Sequence, residues 1–208
     1  MTARSDSLYS PEVLGFVKSS NDLCKWLEDR EIKDRETFVR QVLEILTRLY
    51  SFVIMIPRID PIFNESNEKF VTEEDWSAVY RKIATLLGSQ NEYNDIPDAT
   101  EYDRTEMVGR KISEDLSDIY QELRDFLEVY RNSPEDIMND ALWECQTSFE
   151  NSWGEKLLRA SRALHHSYFE PFSDEDYSYG NEQDDSTGNF DTSRWIISKR
   201  QQESGNEE

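Results

Sequence analysis

Between residues 10 and 168 apolar side chains return every three or four positions, the period of helices buried along one face. Ser10 and Pro11 supply an N-cap followed by a proline suited to the first helical turn, and Val13, Phe16, Val17, Leu23, Cys24 and Leu27 carry a first helix to about residue 29. After the charged turn EIKDRE, the residues Phe38, Val42, Ile45, Leu46, Leu49, Phe52 and Val53 form a second helix that Pro57 stops. Its apolar arc is wider than a surface helix needs, which predicts a central position. Residues 57–71 hold two prolines and two asparagines and read as a loop.

Thr72 with Asp75 three positions on resembles a capping box, and Trp76, Val79, Tyr80, Ile83, Leu86 and Leu87 form one stripe closed by Gly88. The pattern lapses into polar loop over 89–103 and resumes in a fourth helix over roughly 106–130. Ser133 and Pro134 start a fifth, with Met138, Ala141, Leu142, Cys145 and Phe149 as its stripe. Gly154 interrupts an otherwise helical run, where glycine costs about 1 kcal/mol relative to alanine and marks a kink or a close approach. Leu157, Leu158, Ser161, Leu164 and Tyr168 continue the run as a sixth helix. The expected fold is all-α: a single bundle of about six helices within residues 1–170, followed by an acidic tail over 171–208.

The tail is too polar to offset its ordering entropy and is expected to be disordered, except at 193–202, where Trp195, Ile196 and Ile197 form an apolar segment. That segment suits either a partner or a site on its own bundle. The tail carries ten acids against three bases, so seven of the 21 excess negative charges lie there and the body is acidic in its own right. Such a balance repels phosphate backbones and anionic membranes, which argues against direct nucleic-acid or membrane binding. The N-terminus lacks the basic-then-apolar pattern of a secretory signal, and the longest apolar run, 49–56, is far short of a bilayer span of about 20 residues, which together predict a cytoplasmic protein. Cys24 and Cys145 fall on apolar stripes without a second ligand at metal spacing and are expected to be buried free thiols.

The stretches DLSDIYQELRDFLEVY and ALWECQTSFENSWGEKLLRASRALHH resemble the uncharacterised bacterial family called domain of unknown function 5063. The likeness rests on Asp115, Leu116, Asp118, Ile119 and Tyr120, then on Trp143, Phe149, Trp153, Gly154, Leu164 and His165, and spans most of 71–168, including LLGSQNEY at 86–93. Ser152 departs from the family pattern, which has histidine ahead of the Trp-Gly pair. The resemblance implies an all-α fold and no assigned activity.

Candidate chemistry concentrates in the fourth helix. Asp115, Asp118 and Glu122 are spaced three and four apart, as in helical enzymes that bind Mg²⁺ or Mn²⁺ and hydrolyse nucleotides or phosphoesters. Ideal helix geometry turns Asp115 roughly 80° from the centre of the apolar face, Glu122 about 100°, Asp118 about 140° and Asp125 about 160°. Asp115 and Glu122 therefore sit at the edge of the core, and Asp118 and Asp125 face solvent unless another element covers them. Tyr120 and His165 lie on or near apolar stripes, and Asp115 could pair with His165 either structurally or as an acid–base dyad. Trp143 lies off its helix's main stripe, so either that helix is buried on two sides or Trp143 anchors a partner. Glycine-rich phosphate loops, nucleophile elbows and Cys/His zinc spacings are absent. The pattern favours a protein-interaction or regulatory module that needs no cofactor, engaging a basic protein partner through its acidic surface, Trp143, Trp195 and Ile196. The metal-dependent hydrolase is the alternative, and mimicry of nucleic acid by the acidic surface a weaker one.

Overall fold

The structure is a computed structural model that describes residues 7–63, 67–95 and 107–169. The tail, with Trp195 and Ile196, lies outside the described residues. Helix α1 spans Pro11–Glu28, and the Ser10 hydroxyl accepts from the Val13 amide, as its sequence predicts. Helix α2, Arg35–Met55, starts three residues before its apolar stripe because the Asp34 carboxylate caps it, accepting from Thr37 N at 2.8 Å. Helix α3, Glu73–Leu87, carries both halves of the capping box between Thr72 and Asp75. It ends at Gly88, whose φ of 55° is one that residues with a Cβ seldom adopt.

A 3₁₀ turn, Gly88–Asn91, leads into strand β1, Glu92–Asp95, which pairs antiparallel with β2, Val108–Lys111. This hairpin corrects the expectation of loop and helix there. Helix α4, Ile112–Asn132, begins six residues later than its sequence pattern suggests because Val108 and Gly109 are taken into the sheet. The strands have four residues each, too few for an alternation of period two to stand out.

Helix α5, Glu135–Ser148, follows after Ser133, which ends α4 rather than capping α5. A π-helical turn, Phe149–Trp153, then joins α5 without a break to α6, Gly154–Phe169. Among the described residues, α1 to α6 thus make five continuous rods. The π turn inserts a residue into the helical phase and so moves a side chain to a different face. Here it carries Trp153 fully into the core, stacked near Phe16 at 6.3 Å, with its indole N–H donated to the Cys145 carbonyl at 3.1 Å. Gly154 is a close approach, as its position suggests: a Cβ there would lie 2.5 Å from the Phe149 carbonyl oxygen. A backbone atom cannot swing aside as a side chain can. Gly154→Ala is therefore expected to lower the unfolding free energy by about 2 kcal/mol, checked by urea denaturation with an unchanged m-value.

The hub of the bundle is α4, against which α1, α3, α5 and α6 all pack. The wide apolar arc of α2 does not mark the centre. It reflects packing on two helices, α1 and α6, with Phe38, Val42, Leu46 and Leu49 fully enclosed. Helix α4 reaches the centre by burying polar residues with its apolar ones, among them Ser113, Asp115, Ser117, Asp125 and Glu128. Cys24 and Cys145 are both buried and free. No helix among the described residues is long and apolar enough to cross a membrane.

Candidate functional site

The acidic stripe of α4 lies between α3 and α6, and a basic stripe on α6 answers it. Asp115 accepts from Arg159 through both Nε, at 2.9 Å, and Nη2, at 2.6 Å, and its other oxygen accepts the Tyr93 hydroxyl of β1 at 2.5 Å. Asp118 accepts the Trp76 indole N–H from α3 at 2.9 Å and the Lys156 ammonium from α6 at 2.6 Å. A third basic residue of α6, Arg162, reaches Asp95 of β1 at 2.7 Å, and Arg110 of β2 reaches the other oxygen of the same carboxylate at 3.2 Å. Moving three residues up α4 corresponds to three residues down α6, the register of two antiparallel helices joined along one seam. Two of the three carboxylates whose spacing suits a metal, Asp115 and Asp118, are thus each matched by a cation of α6.

Burial and hydrogen bonding together set the charge states of Arg159 and Tyr93. The Asp115 side chain is 4 % exposed and that of Arg159 19 %. Desolvation opposes the Arg159 charge, but the Asp115 hydrogen bonds and charge outweigh it and raise its pKa. Burial, then the hydrogen bond to the Asp115 carboxylate, pushes the Tyr93 phenol well above its ordinary range, so it remains a donor.

Tyr120 and His165 do not join this group. Tyr120 is buried on another side of α4, where its hydroxyl donates to Glu28 of α1 at 2.8 Å. The Arg124 guanidinium stands 3.6 Å from Glu28 and 2.8 Å from Glu128, so one cation serves two buried carboxylates. Burial pushes the Glu28 carboxyl up to about 7, against the pull of Arg124 and of the Tyr120 hydrogen bond. Burial, together with the charge of Glu28, also raises the Tyr120 phenol far above its ordinary value. Beside this cluster the Lys82 ammonium of α3 donates to the carbonyls of Trp26, Leu27 and Asp29, closing the end of α1, and burial lowers its pKa to about 8.

His165, expected near the core within reach of Asp115, is exposed and lies against Phe169 with ring centroids 4.7 Å apart. Leu164 takes the inward position, and one step of about 100° turns the next side chain outward. Asp115 therefore pairs with Arg159, not with a histidine. Glu122 is half-buried, and among the described residues no group of three or more His, Cys, Asp or Glu is placed to hold a metal ion.

Asp125, turned furthest from the apolar face, is buried all the same. The connection between α2 and α3 covers it, and its Oδ1 accepts the amides of Phe70 and Val71 at 2.7 and 2.9 Å. The same connection runs along α5, where Asp140 accepts the amides of Ile62 and Phe63, and Glu144 accepts those of Asn67. Asn139 and Gln146 donate to the carbonyls of Asp60 and of Ile56 and Pro57. Helix α5 is thus engaged on a second side, and Trp143, half-buried, shares the helical phase of Asp140 and Gln146.

An open cleft of about 560 Å³ lies where the hairpin meets the last turns of α6, lined by Tyr93, Asn94, Met107, Arg162, His166 and Ser167. Tyr93 therefore faces both this cleft and the Asp115–Arg159 pair. Sequence reasoning missed Lys156, Arg159 and Arg162, although their spacing of three on α6 mirrors that of Asp115 and Asp118 and was the available signal.

The profile of one sequence family, described as domain of unknown function (DUF5063), matches residues 7–170. The chain belongs to that family. Its residues Asp115, Tyr120, Trp153 and Gly154, which carried the resemblance, all have defined places in the fold: an ion pair, a buried hydrogen bond, a core indole and a close backbone approach. The chain is also similar to protein BF1032 from Bacteroides fragilis, known from a structural-genomics crystal structure, at 35 % identity with a TM-score of 0.70 over 80 % of this chain and 98 % of that one. No curated protein matches the chain.

Proposed function

We propose that the protein is a cytoplasmic, non-catalytic interaction module whose acidic surface receives a basic protein partner. The observation that carries this reading is the engagement of the helix α4 carboxylates best spaced for chemistry: Asp115 and Asp118 are both held by internal cations and donors. A general base or metal ligand needs lone pairs turned toward a substrate. These are spent on joining α4 to its neighbours. The remaining negative charge lies outside, in exposed acids such as Glu73 and Glu74 at the start of α3 and Glu135 and Asp136 at the start of α5. The hairpin cleft adds an aromatic ring, Tyr93, and a methionine, Met107, for a partner's side chain.

Two measurements test this. Co-purification at native expression levels is expected to recover a partner whose binding weakens as salt rises and when Glu73, Glu74, Glu135 and Asp136 are all changed to glutamine. Recovery of no partner would count against the module. Calorimetry with Mg²⁺ or Mn²⁺ is expected to give no saturable binding. Stoichiometric binding that Asp115→Asn abolishes would reinstate the hydrolase reading.

A further inference from the structure

We propose that residues Asn67–Val71 form a gate that opens over Cys145 while the helical bundle stays folded. Three observations lead to it. First, the limb is held mainly by polar bonds to carboxylates, with only Val71, at its end, partly buried against the core. Asp125 takes two of its amides, and Glu144 takes the Asn67 amide and side chain and the Lys69 ammonium, at 2.6 to 3.1 Å. None of its five side chains is buried, and Phe70 is 36 % exposed. A segment with so little apolar contact has a local opening free energy well below that of the bundle.

Second, a small cavity lies beneath the limb. Asn67 and Lys69 line it together with the apolar Phe126 and Val129 of α4 and Cys145 of α5, and with the carboxylates Glu122, Asp125 and Glu144. Cys145 is 4 % exposed with the limb in place. Third, the two anchors are discrete. Asp125 and Glu144 stand on different helices, so release of both frees the limb without moving either helix, a two-state element of the kind from which local switches are built. Opening would expose a thiol and an apolar seam together. In the closed state burial raises the thiol pKa and keeps it inert.

Cys24 serves as the internal control, because it is fully enclosed between α1 and α4 and is reached only when the bundle itself opens. Alkylation of the whole protein by iodoacetamide, followed by mass spectrometry at each thiol, tests the gate. Below the unfolding transition Cys145 is expected to react at least about tenfold faster than Cys24, at a rate that hardly depends on denaturant. Asp125→Asn, which removes the charge from two charge-assisted hydrogen bonds, is expected to speed Cys145 about tenfold further and Cys24 far less. If both thiols react together with the same steep denaturant dependence, or if the variant speeds both alike, there is no gate. Should the variant fail to fold, the ratio of the two thiols in the unaltered protein decides.

Discussion

Asp115→Ala is expected to lower the unfolding free energy by about 3 kcal/mol, more than most surface or single-cap changes, because it strands a half-buried guanidinium and the Tyr93 hydroxyl at once. Taking one partner from a buried pair costs more than the pair contributes, since the desolvation of the other remains. Asp115→Asn is expected to be milder, for an amide still offers an oxygen to Arg159. Chemical denaturation of the two variants with matched m-values checks the order. The loss has a structural signature too: hydrogen exchange should quicken in β1 and along α6, the elements that Asp115 ties to α4.

The second large effect is one of pH. The Glu28 carboxyl sits at about 7 in the folded protein and near 4.5 when exposed. Between those values the folded state holds a proton that the unfolded chain has released, so stability falls as pH rises through this window. Below about 4.5 both states are protonated and the Glu28 contribution is fully present; above 7 it is gone. A separation of this size corresponds to about 3 kcal/mol. Glu28→Gln keeps an acceptor for Tyr120 and removes the ionisation, so its stability relative to the unaltered protein is expected to rise by that amount between pH 4.5 and 7.5. Asp34 and Glu144, whose pKa values are lowered, weaken the fold only at more acid pH and cancel in this difference. A difference independent of pH would mean that Glu28 is ionised throughout.

Helices α1 and α3 were legible twice over, by an apolar stripe and by a terminus with its own chemistry, whereas α4 and α5 offered the stripe alone. Ser10–Pro11, Thr72–Asp75 and Gly88 all act as their types suggest. The hairpin was not legible, for its four-residue strands have no stripe and their partner is a long way off in sequence. Helical phase ranked the acids of α4 correctly at its inner edge, where Asp115 is buried, and misjudged its outer side. Phase measures the angle from one core, and Asp125 is buried against a different neighbour, the 67–71 limb, whose own residues are polar. His165 shows the converse: a residue beside an apolar stripe is turned out by a single step, and no phase argument could reveal that the partner of Asp115 would be Arg159. What could have revealed it is charge pattern. Asp115 and Asp118 on one helix and Lys156 and Arg159 on another have the same spacing and opposite sign, which two antiparallel neighbours convert into a seam.

That seam is measured most directly by a double-mutant cycle on Asp115→Ala and Arg159→Ala, each of which removes the contact outright, read as unfolding free energies of the four proteins. If the α4 carboxylates serve to join α4 to α6, the two changes are strongly non-additive, with a coupling energy of about 2 kcal/mol. Additive changes, with a coupling below about 0.5 kcal/mol, would show that the two residues do not hold each other, leaving Asp115 available for other chemistry.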